Sequence, residues 1–480
     1  MRQFKSEVAK IKNDVLREIA RFAFESKLEE EIDKLPRTLI ESSTSYYRCC
    51  VYKERAIVAD RAKFALGFST KELDSEERLG DIVSNRLEGH EINGPVLDVI
   101  ETACDRCPIH KFIVTDACRG CVAHYCLNTC TQDAITIIER KAHIDQDKCV
   151  ECGRCSQACH FHAIVEVKRP CERSCSAKAI ISSSDRNSSI DEDLCISCGN
   201  CIIGCPFGAI TDKSMMVKVI EWIKNGENVV AAVAPAVAGQ FGPNVEVGQV
   251  MNALLELGFT NTAEVAQSAD EVARLEAEEF AEMVDEKGWL ASSCCPAFVD
   301  YIKTQFPEIA DHIAPTPSPM VLQGRKIKKE NPDYKVVFIG PCIAKKKEGL
   351  RDDSCIDAVL TFEEIGAMFE AKDIDPEKLE SVNASFGKAT SHGRGFAVSG
   401  GVAAALEEAL KAQNLDVDLK PVKANGLDEC RKMLTLAKVG RLPGNFIEGM
   451  SCEGGCIAGP ATLVLPKQGE KAVKKYKEEI

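Results

Sequence analysis

The chain has 480 residues, of which 45% are hydrophobic and 28% are charged, and its formal net charge is -14. This length supports two or three domains with sizeable cores. The acidic balance argues against a protein that binds nucleic acid through phosphate contacts. No apolar stretch reaches the roughly 20 residues that span a bilayer, and the charged start lacks the pattern of a signal peptide. We therefore expect a cytoplasmic protein with neither a nucleic-acid nor a membrane partner.

The first region, residues 1–95, is predicted to be helical. Apolar residues recur at helical spacing along its start: Phe4, Val8, Ile11, Val15, Ile19 and Phe22. A helix that packs its apolar face against the rest of the protein explains this pattern. The sequence assigns no further role to the region.

Cysteines are concentrated in residues 96–212, where 16 of the 25 in the chain lie. In a long chain without a secretion signal, such groups favour metal ligation over disulfides. The unit Cys-x3-Cys-x3-Ala-Ile occurs four times, ending at Ile135, Ile164, Ile180 and Ile210. This regularity indicates duplication of one small unit. It predicts an α+β, ferredoxin-like iron-sulfur domain over residues 96–212.

Two runs have the spacing C-x2-C-x2-C-x3-C of bacterial ferredoxins. They comprise Cys149, Cys152, Cys155 and Cys159, and then Cys195, Cys198, Cys201 and Cys205. In such runs three thiolates surround one 4Fe–4S cubane and the fourth reaches the neighbouring cubane. We therefore predict two cubanes whose fourth ligands are exchanged between these two runs. Structural zinc, which prefers two C-x2-C pairs without a third close cysteine, is the weaker alternative.

Eight further cysteines follow a less regular pattern. Cys118, Cys121, Cys126 and Cys130 form a looser quartet, Cys171 and Cys175 form a half-unit without its leading pair, and Cys104 and Cys107 form a lone upstream pair. We hypothesise that the lone pair completes the half-unit. The region would then hold four 4Fe–4S clusters with sixteen ligands, and at least the two of the ferredoxin runs.

Residues 213–480 have an α/β pattern, in which helical stretches alternate with apolar runs at 229–233, 336–339 and 396–398. Such alternation predicts a mostly parallel sheet covered by helices. Three cysteine-bearing segments rich in glycine and proline follow or contain turns at the ends of apolar runs: 292–296, 340–348 and 448–460. Ligands of α/β sheets bind at such turns. Four cysteines from these segments could hold one further cubane.

These segments read SSCCP, GPCIAKKKE and EGMSCEGGCIAGP, and they resemble the three signature motifs of the iron-iron (FeFe) hydrogenases. The resemblance covers about Cys104 to Pro460, and the order of the motifs after ferredoxin repeats is highly specific to that family. It implies an iron-hydrogenase catalytic domain over residues 213–480. It also implies the H-cluster, a 4Fe–4S cubane bridged to a two-iron subsite with carbon monoxide, cyanide and an azadithiolate.

The resemblance further implies roles for individual residues. The cubane of the H-cluster would be held by Cys295, Cys342, Cys452 and Cys456, and Cys456 would also bridge to the two-iron subsite. Cys294 would pass protons to the bridge amine, and Lys345 would hydrogen-bond a cyanide. The remaining pocket residues would be Met450, which packs against the two-iron unit, Ala234 and Pro235, which line the pocket, and Glu348, which orders its loop.

Glu276 and Glu279 lie three residues apart on a predicted helix, so both carboxylates lie on one face. In the family, a glutamate pair at this place relays protons toward the thiol. An ordinary solvated acidic face is the alternative. The serine that links the two glutamates in the family is Ala314 here. Either a water or a nearby hydroxyl, Thr316 or Ser318, replaces it, or the proton path differs. The chain also departs from the family at Gly340, Met320 and Gly459-Pro460.

The resemblance implies an oxidoreductase that reversibly oxidises H2 to protons and passes the electrons to ferredoxin in anaerobic hydrogen metabolism. Maturation proteins would supply the two-iron subsite. Two alternatives have the same fold. One is an H2-sensing regulatory homologue, which usually carries an extra signalling domain and tends to lose the thiol at Cys294. The other is a non-catalytic iron-sulfur assembly protein, which typically lacks part of the second motif.

Overall fold

The computed structural model describes residues 4–41, 47–74, 77–105, 107–108, 110–182 and 187–479. The strands in these ranges are β1 (Leu97–Val99), β2 (Phe112–Val114), β3 (Ile135–Ile138), β4 (Lys141–Ile144), β5 (Ile164–Glu166), β6 (Ile180–Ser182), β7 (Ser188–Ile190), β8 (Ile210–Asp212), β9 (Val229–Val233), β10 (Asn261–Glu264), β11 (Leu290–Ala291), β12 (Lys335–Gly340), β13 (Ala358–Thr361), β14 (Pro421–Asn425) and β15 (Phe446–Met450).

The α-helices in the same ranges are α1 (Glu7–Phe24), α2 (Leu28–Glu31), α3 (Leu35–Leu39), α4 (Val51–Ala65), α5 (Leu79–Arg86), α6 (Tyr125–Asn128), α7 (Arg154–Ala158), α8 (Pro170–Arg173), α9 (Asn200–Gly204), α10 (Met216–Lys224), α11 (Val247–Leu257), α12 (Val265–Lys287), α13 (Pro296–Gln305), α14 (Pro319–Glu330), α15 (Ala344–Gly349), α16 (Phe362–Ala371), α17 (Ser391–Gly395), α18 (Gly401–Ala412), α19 (Leu427–Lys438) and α20 (Pro466–Glu478). None of the described helices is both long and apolar enough to cross a membrane.

Two parallel sheets form the centre of the region after residue 213. One has the strand order β10-β9-β12-β13 and the other the order β11-β15-β14. Strand β9 is buried along its whole length, as expected for a parallel strand covered by helices on both faces. The apolar runs at 229–233 and 336–339 are therefore strands, as the sequence predicts.

The apolar run at 396–398 is not a strand, and that prediction is wrong. It is a turn between α17 and α18, in which Val398 N–H bonds to Gly395 O and Gly401 N–H bonds to Val398 O. Gly400 has a φ of +92°, a conformation that favours glycine and ends an extended run. The run is apolar because it is packed against the third cysteine segment.

The cysteine-rich region contains two ferredoxin-like modules, one nested inside the other. In the inner module, β2 pairs antiparallel with β5 and encloses the hairpin β3–β4. In the outer module, β1 pairs antiparallel with β8, and the second hairpin is β6–β7. The inner module lies in the chain between β1 and β6. Its first and last strands are neighbours, so it can be inserted without separating the parts of the outer module.

The N-terminal helices pack on the catalytic region and share its core. Helix α1 contacts α16 and α10, and its buried residues Leu16 and Ile19 belong to the same apolar cluster as strand β9. Lys12 of α1 forms an ion pair with Asp212 at 2.7 Å. Lys346, in the second cysteine segment, pairs with the other oxygen of Asp212 at 2.7 Å. This buried ionic cluster joins the helical, ferredoxin-like and catalytic regions.

Candidate active site and electron-transfer chain

The three cysteine segments meet at the carboxyl ends of the two parallel sheets. The first segment follows β11 and the third follows β15, which is its neighbour in the same sheet. The second segment follows β12 of the other sheet. Ala234, after β9, donates its N–H to Ile339 O at the end of β12 (2.9 Å). Adjacent parallel strands end at one edge, so the fold collects residues that are distant in sequence.

The four cysteines of these segments are mutual neighbours. Burial raises the pKa of the Cys342 thiol to about 12, with a further contribution from Cys295 and Cys456. Burial also raises the pKa of Cys452, and its neighbours Cys342, Cys295 and Cys456 raise it further. Because free thiols at this place are neutral, cluster insertion must release protons as the thiolates form.

The donor set fits a cubane. Four thiols from three loops face one buried place, and thiolates are the ligands that iron-sulfur clusters require. Gly455 has a φ of +93°, and a Cβ there would lie 2.7 Å from Ser399 N, so only glycine lets Cys456 approach the 396–398 turn. Cys430 also lies near Cys295, but its thiol is within hydrogen-bonding distance of Ala424 O, 3.5 Å away. It is a buried neighbour and not one of the four.

The other predicted pocket residues surround this place. Lys345 is buried, and its Nζ donates to Glu348 Oε2 (2.6 Å) and to Ser318 Oγ (2.8 Å). Burial opposes its charge, but Glu348 outweighs that effect and the pKa of Lys345 is raised. Glu348 therefore both holds the second segment and keeps Lys345 protonated.

Met450 and Ala234 lie beside the cysteine segments on their apolar side, and Pro235 directly follows Ala234. Met450 is buried in a cluster that Cys294 and Cys295 adjoin. A Cβ added at Gly340 would lie 2.6 Å from the Phe338 ring and 3.3 Å from Ala234 Cβ. The Phe338 ring thus blocks the space beside Gly340, which explains why residue 340 carries no side chain.

A chain of polar groups leads from Cys294 toward the surface. Glu276 is 1% exposed, and its Oε1 accepts from Ser293 N (3.3 Å) and Ser293 Oγ (3.2 Å). Ser293 Oγ is also 2.6 Å from Thr316 O. Thr316 Oγ1 donates to Glu279 Oε1 at 2.6 Å. Thr316 therefore supplies the hydroxyl beside Glu279, whereas Ser318 is bonded to Lys345.

The environment of Glu276 favours its neutral form. Burial raises its pKa to about 7, against the lowering effect of the Ser293 N–H. Its Oε2 is a buried atom without a hydrogen-bond partner in the structure. Burial also raises the pKa of Cys294, and the charge of Glu276 adds to that effect, which places the carboxyl beside the thiol. This is not the environment of a solvated acidic face.

The sixteen cysteines of the ferredoxin-like modules form four sets. In the outer module the proximal set is Cys175, Cys195, Cys198 and Cys201, and the medial set is Cys104, Cys107, Cys171 and Cys205. In the inner module the first distal set is Cys130, Cys149, Cys152 and Cys155, which line one small cavity, and the second distal set is Cys118, Cys121, Cys126 and Cys159.

This arrangement corrects the predicted exchange of ligands. The two regular ferredoxin runs do not exchange their fourth cysteines with each other. Cys159 lies beside Cys126 and Cys205 lies beside Cys107, because each regular run shares a module with a less regular one. The lone pair Cys104 and Cys107 does join the half-unit at Cys171, as hypothesised. The half-unit is incomplete in sequence because the inner module is inserted within it.

The proximal set lies against the catalytic pocket. Burial raises the pKa of Cys198 to about 12, and the nearby thiol of Cys295 contributes to this rise. Gly199 has a φ of +79°, and a Cβ there would lie 2.7 Å from Pro460 and 3.0 Å from Ile343. The outer module thus touches the second and third segments through a glycine, which brings the two thiol sets close together.

Some residues at these sites have no individual sequence signal. Ser293 is one of them, and Glu448 is another: its carboxylate accepts from Gly400 N (2.6 Å) and Ala403 N (2.9 Å) at the start of α18. Arg61 and Arg169, which are buried beside the medial set, also have no such signal. Arginine side chains are usually exposed, so only the structure distinguishes these two.

Comparisons with known proteins show the family of the chain. Residues 227–460 match the family described as iron only hydrogenase large subunit, C-terminal domain, and residues 141–164 match a 4Fe-4S binding domain. The chain is 32% identical over 378 residues to the periplasmic Fe hydrogenase large subunit of Nitratidesulfovibrio vulgaris, covering 67% of this chain and 86% of that protein.

The comparisons also give a second relative and a solved structure. Iron hydrogenase 1 of Clostridium pasteurianum is 31% identical over 394 residues, covering 70% of this chain and 68% of that protein. A solved variant of the FeFe-hydrogenase HydA1 from Chlamydomonas reinhardtii has 19% identity and a TM-score of 0.45, covering 52% of this chain and 84% of that one.

The site and the relatives define an iron-sulfur oxidoreductase. The chain belongs to the iron-only, or FeFe, hydrogenase family, with an H-cluster and additional 4Fe–4S clusters as its cofactors. When bound, the H-cluster supplies the metal chemistry that cleaves or forms H2.

Proposed function

We propose that this protein catalyses the reversible oxidation of H2 to protons and electrons, and that its physiological electron partner is ferredoxin or a similar small redox protein. The observation that carries the proposal is the meeting of Cys295, Cys342, Cys452 and Cys456 beside Cys294 and a buried carboxyl. An electron-transfer protein alone needs no proton route at its terminal site. An H2-cleaving site does, because each H2 yields two protons.

Cys295, Cys342, Cys452 and Cys456 would hold the cubane of the H-cluster, with Cys456 also bridging to the two-iron subsite. Lys345, kept charged by Glu348, would donate a charge-assisted hydrogen bond to a cyanide of the cofactor. Met450, Ala234 and Pro235 would exclude water from the pocket. Maturation proteins would deliver the two-iron subsite.

Protons would move between Cys294 and solvent through Glu276, Ser293, Thr316 and Glu279. Glu276 lies beside Cys294, and Glu279 is half-buried and reaches the exterior. The single hydroxyl proton of Ser293 can be donated to Glu276 or to Thr316 O, but not to both at once. The carbonyl oxygen Thr316 O accepts this hydrogen bond but passes no proton on, so transfer requires that the Ser293 and Thr316 hydroxyls rotate toward each other and exchange a proton directly before each returns to its own carboxyl. These two hydroxyls replace the serine that the family has at position 314.

Electrons would pass through the proximal and medial sets to the distal sets of the inner module. The inner module presents exposed apolar side chains near its thiols, including Val122 at 96% exposed and Val150 at 62% exposed. Such a surface suits contact with a protein partner. The three-part division at residues 95 and 212 and the cytoplasmic location remain predictions.

Infrared spectroscopy of the matured, anaerobic protein tests the proposal. Carbon monoxide and cyanide bands are expected together with H2 oxidation and H2 evolution by the same sample. Cys294→Ala should abolish both activities and retain the bands, since the thiol moves protons and holds no metal. Cys430→Ala is the matched control, a nearby buried thiol outside the proton route, and should remain active. Loaded protein without any turnover would refute catalysis in favour of a sensor or an assembly protein.

A further inference from the structure

The medial set (Cys104, Cys107, Cys171 and Cys205) differs from the other accessory sets in its charges. Arg61 is 7% exposed and lies close enough to Cys205 for their charges to interact. Arg169 is 3% exposed and acts in the same way on Cys107. Cations also act on two of the other sets, Lys347 on the proximal set and Lys141 on the second distal set. Their side chains are 43% and 49% exposed and are therefore screened by water.

Each of these arginines has a buried N–H group that finds no acceptor among the residues that the structure describes. Arg61 Nη2 donates to Gly208 O at 2.5 Å, but its Nε is buried and without a partner in the structure. Arg169 Nη1 donates to Ser188 Oγ at 2.9 Å, and its Nη2 is likewise buried and without a partner. Leaving a buried charged donor unpaired is costly. The sulfur atoms of a bound cluster are the acceptors that the chemistry of this place provides.

Ser188 connects Arg169 to the thiols. Its N–H donates to Cys104 Sγ at 3.4 Å, and its Oγ lies 3.7 Å from Cys171 Sγ. Ser188 therefore links the guanidinium of Arg169 to the thiols of Cys104 and Cys171.

A third arginine, Arg48, connects the loops that carry Cys104 and Cys205. Arg48 Nη1 is 3.0 Å from Asp105 Oδ1, next to Cys104, and Arg48 Nη2 donates to Phe207 O (3.1 Å), two residues after Cys205. Arg48 and Arg61 come from the N-terminal helical region, which thus contributes two cations to this place.

Electrostatics determines whether these arginines raise or lower the reduction potential of a cluster in the medial set. A cubane with four thiolates is an anion, and reduction adds one more negative charge. Nearby buried cations and N–H donors stabilise the reduced form more than the oxidised form, and both factors are known to set cluster potentials. Burial lowers the pKa of Arg61 to about 10, and Arg48 lowers it further against the effect of Cys205. Arg61 nevertheless remains charged at neutral pH.

We propose that Arg61 and Arg169 raise the reduction potential of the cluster in the medial set, so that this cluster is the step of the electron-transfer chain that retains an electron. The proposal rests on the proposed function, since it requires that the sixteen cysteines hold four cubanes. It gives the N-terminal region a role, which is to supply charge to a cluster that it does not ligate.

The test is a redox titration of the loaded, full-length protein monitored by electron paramagnetic resonance. Arg61→Gln and Arg169→Gln should each lower one and the same cluster potential. A tenfold smaller equilibrium constant for reduction corresponds to about 59 mV for one electron, and we expect at least that shift. Arg61→Lys should retain most of the potential. Arg55→Gln is the matched control, because Arg55 lies on the same helix and bonds to Ile40 O.

A variant of opposite sign tests the proposal if the glutamine variants fail to load the cluster. Asp105→Asn removes an anion beside Arg48 and should raise the same potential. Unchanged potentials in Arg61→Gln and Arg169→Gln, with full iron content, would overturn the proposal. So would an unchanged or lowered potential in Asp105→Asn. Failure of the proposed function would appear differently, as absent H2 turnover in a protein whose four accessory cubanes and their potentials are intact.

Discussion

The proton affinity of Glu276 provides the sharpest test of the proton route. Moving the pKa of a glutamate from 4.5 to about 7 corresponds to about 3 kcal/mol in favour of the neutral form, at 1.36 kcal/mol per pKa unit. An ordinary glutamate is ionised at neutral pH, whereas Glu276 would be about half protonated. It could then both donate and accept a proton under the conditions in which H2 is made or consumed.

The pH dependence of H2 oxidation and of H2 evolution follows from this pKa. H2 oxidation requires ionised Glu276 to accept a proton, so its rate should fall as the pH drops below about 7. H2 evolution requires protonated Glu276, so its rate should fall as the pH rises above that value. Glu276 also binds more protons in the folded than in the unfolded chain. Its contribution to stability is therefore fully present below pH 4.5 and is lost as the pH rises through about 7.

Glu276→Gln removes the titrating group but retains the shape of the side chain. We expect the rates in both directions to fall by about 10²- to 10⁴-fold, while the carbon monoxide and cyanide infrared bands remain. The carbonyl band of a protonated carboxyl, followed by isotope-edited infrared spectroscopy, should titrate near pH 7 and be absent from the variant. Glu278→Gln, on the same helix and paired with Arg274, is the control. A titration midpoint near 4.5, or activity within a few-fold of the unmodified protein, would refute the route.

Three further changes test other parts of the site. Thr316→Val should slow turnover at least tenfold and Thr316→Ser should restore it, because only the hydroxyl that bonds to Glu279 is needed; equal rates in both variants would contradict this role. Cys159→Ala and Cys126→Ala should remove the same cluster signal from the electron paramagnetic resonance spectrum, since both thiols belong to one set. If Cys159→Ala instead removes the signal that Cys201→Ala removes, the two regular runs exchange ligands after all. Gly199→Ala should slow reduction of the accessory clusters by H2 without altering the infrared bands, because its Cβ would meet Pro460; unchanged kinetics in stopped-flow absorption would show that this contact does not matter.

The sequence predicts most of the cysteine chemistry because thiol ligands occur at fixed spacings. The motif around Cys342, for example, needs no tertiary information to be read as a ligand segment. The strands β9 and β12 were also predictable, because buried parallel strands are continuous apolar runs. The run at 396–398 has the same composition, but Gly395 and Gly400 turn the chain around it, and composition does not distinguish these cases.

The ligand sets of the accessory clusters were not predictable from spacing. Sequence neighbours such as Cys155 and Cys159 lie in different sets, because the fourth cysteine of each unit reaches its partner unit in the same module. Which units are partners depends on the pairing of β1 with β8 and of β2 with β5. These are contacts between segments far apart in the chain, and the insertion of the inner module hides them further.

The arrangement of the site separates the paths of its two products. The proposed proton route leaves Cys294 through α12 and the loop containing Thr316, on the side of the first cysteine segment. The proximal thiol set approaches through the outer module, where Gly199 contacts Ile343 of the second segment and Pro460 of the third. The two routes therefore use different residues of the chain. The proposed effect of the N-terminal helices on electron transfer likewise uses residues outside the proton route, since Arg48 and Arg61 lie beside the medial set and Glu276 and Glu279 bond to Ser293 and Thr316. Variants of Arg61 and of Glu276 should therefore affect cluster potentials and proton-dependent rates independently, and their combined effects should be additive.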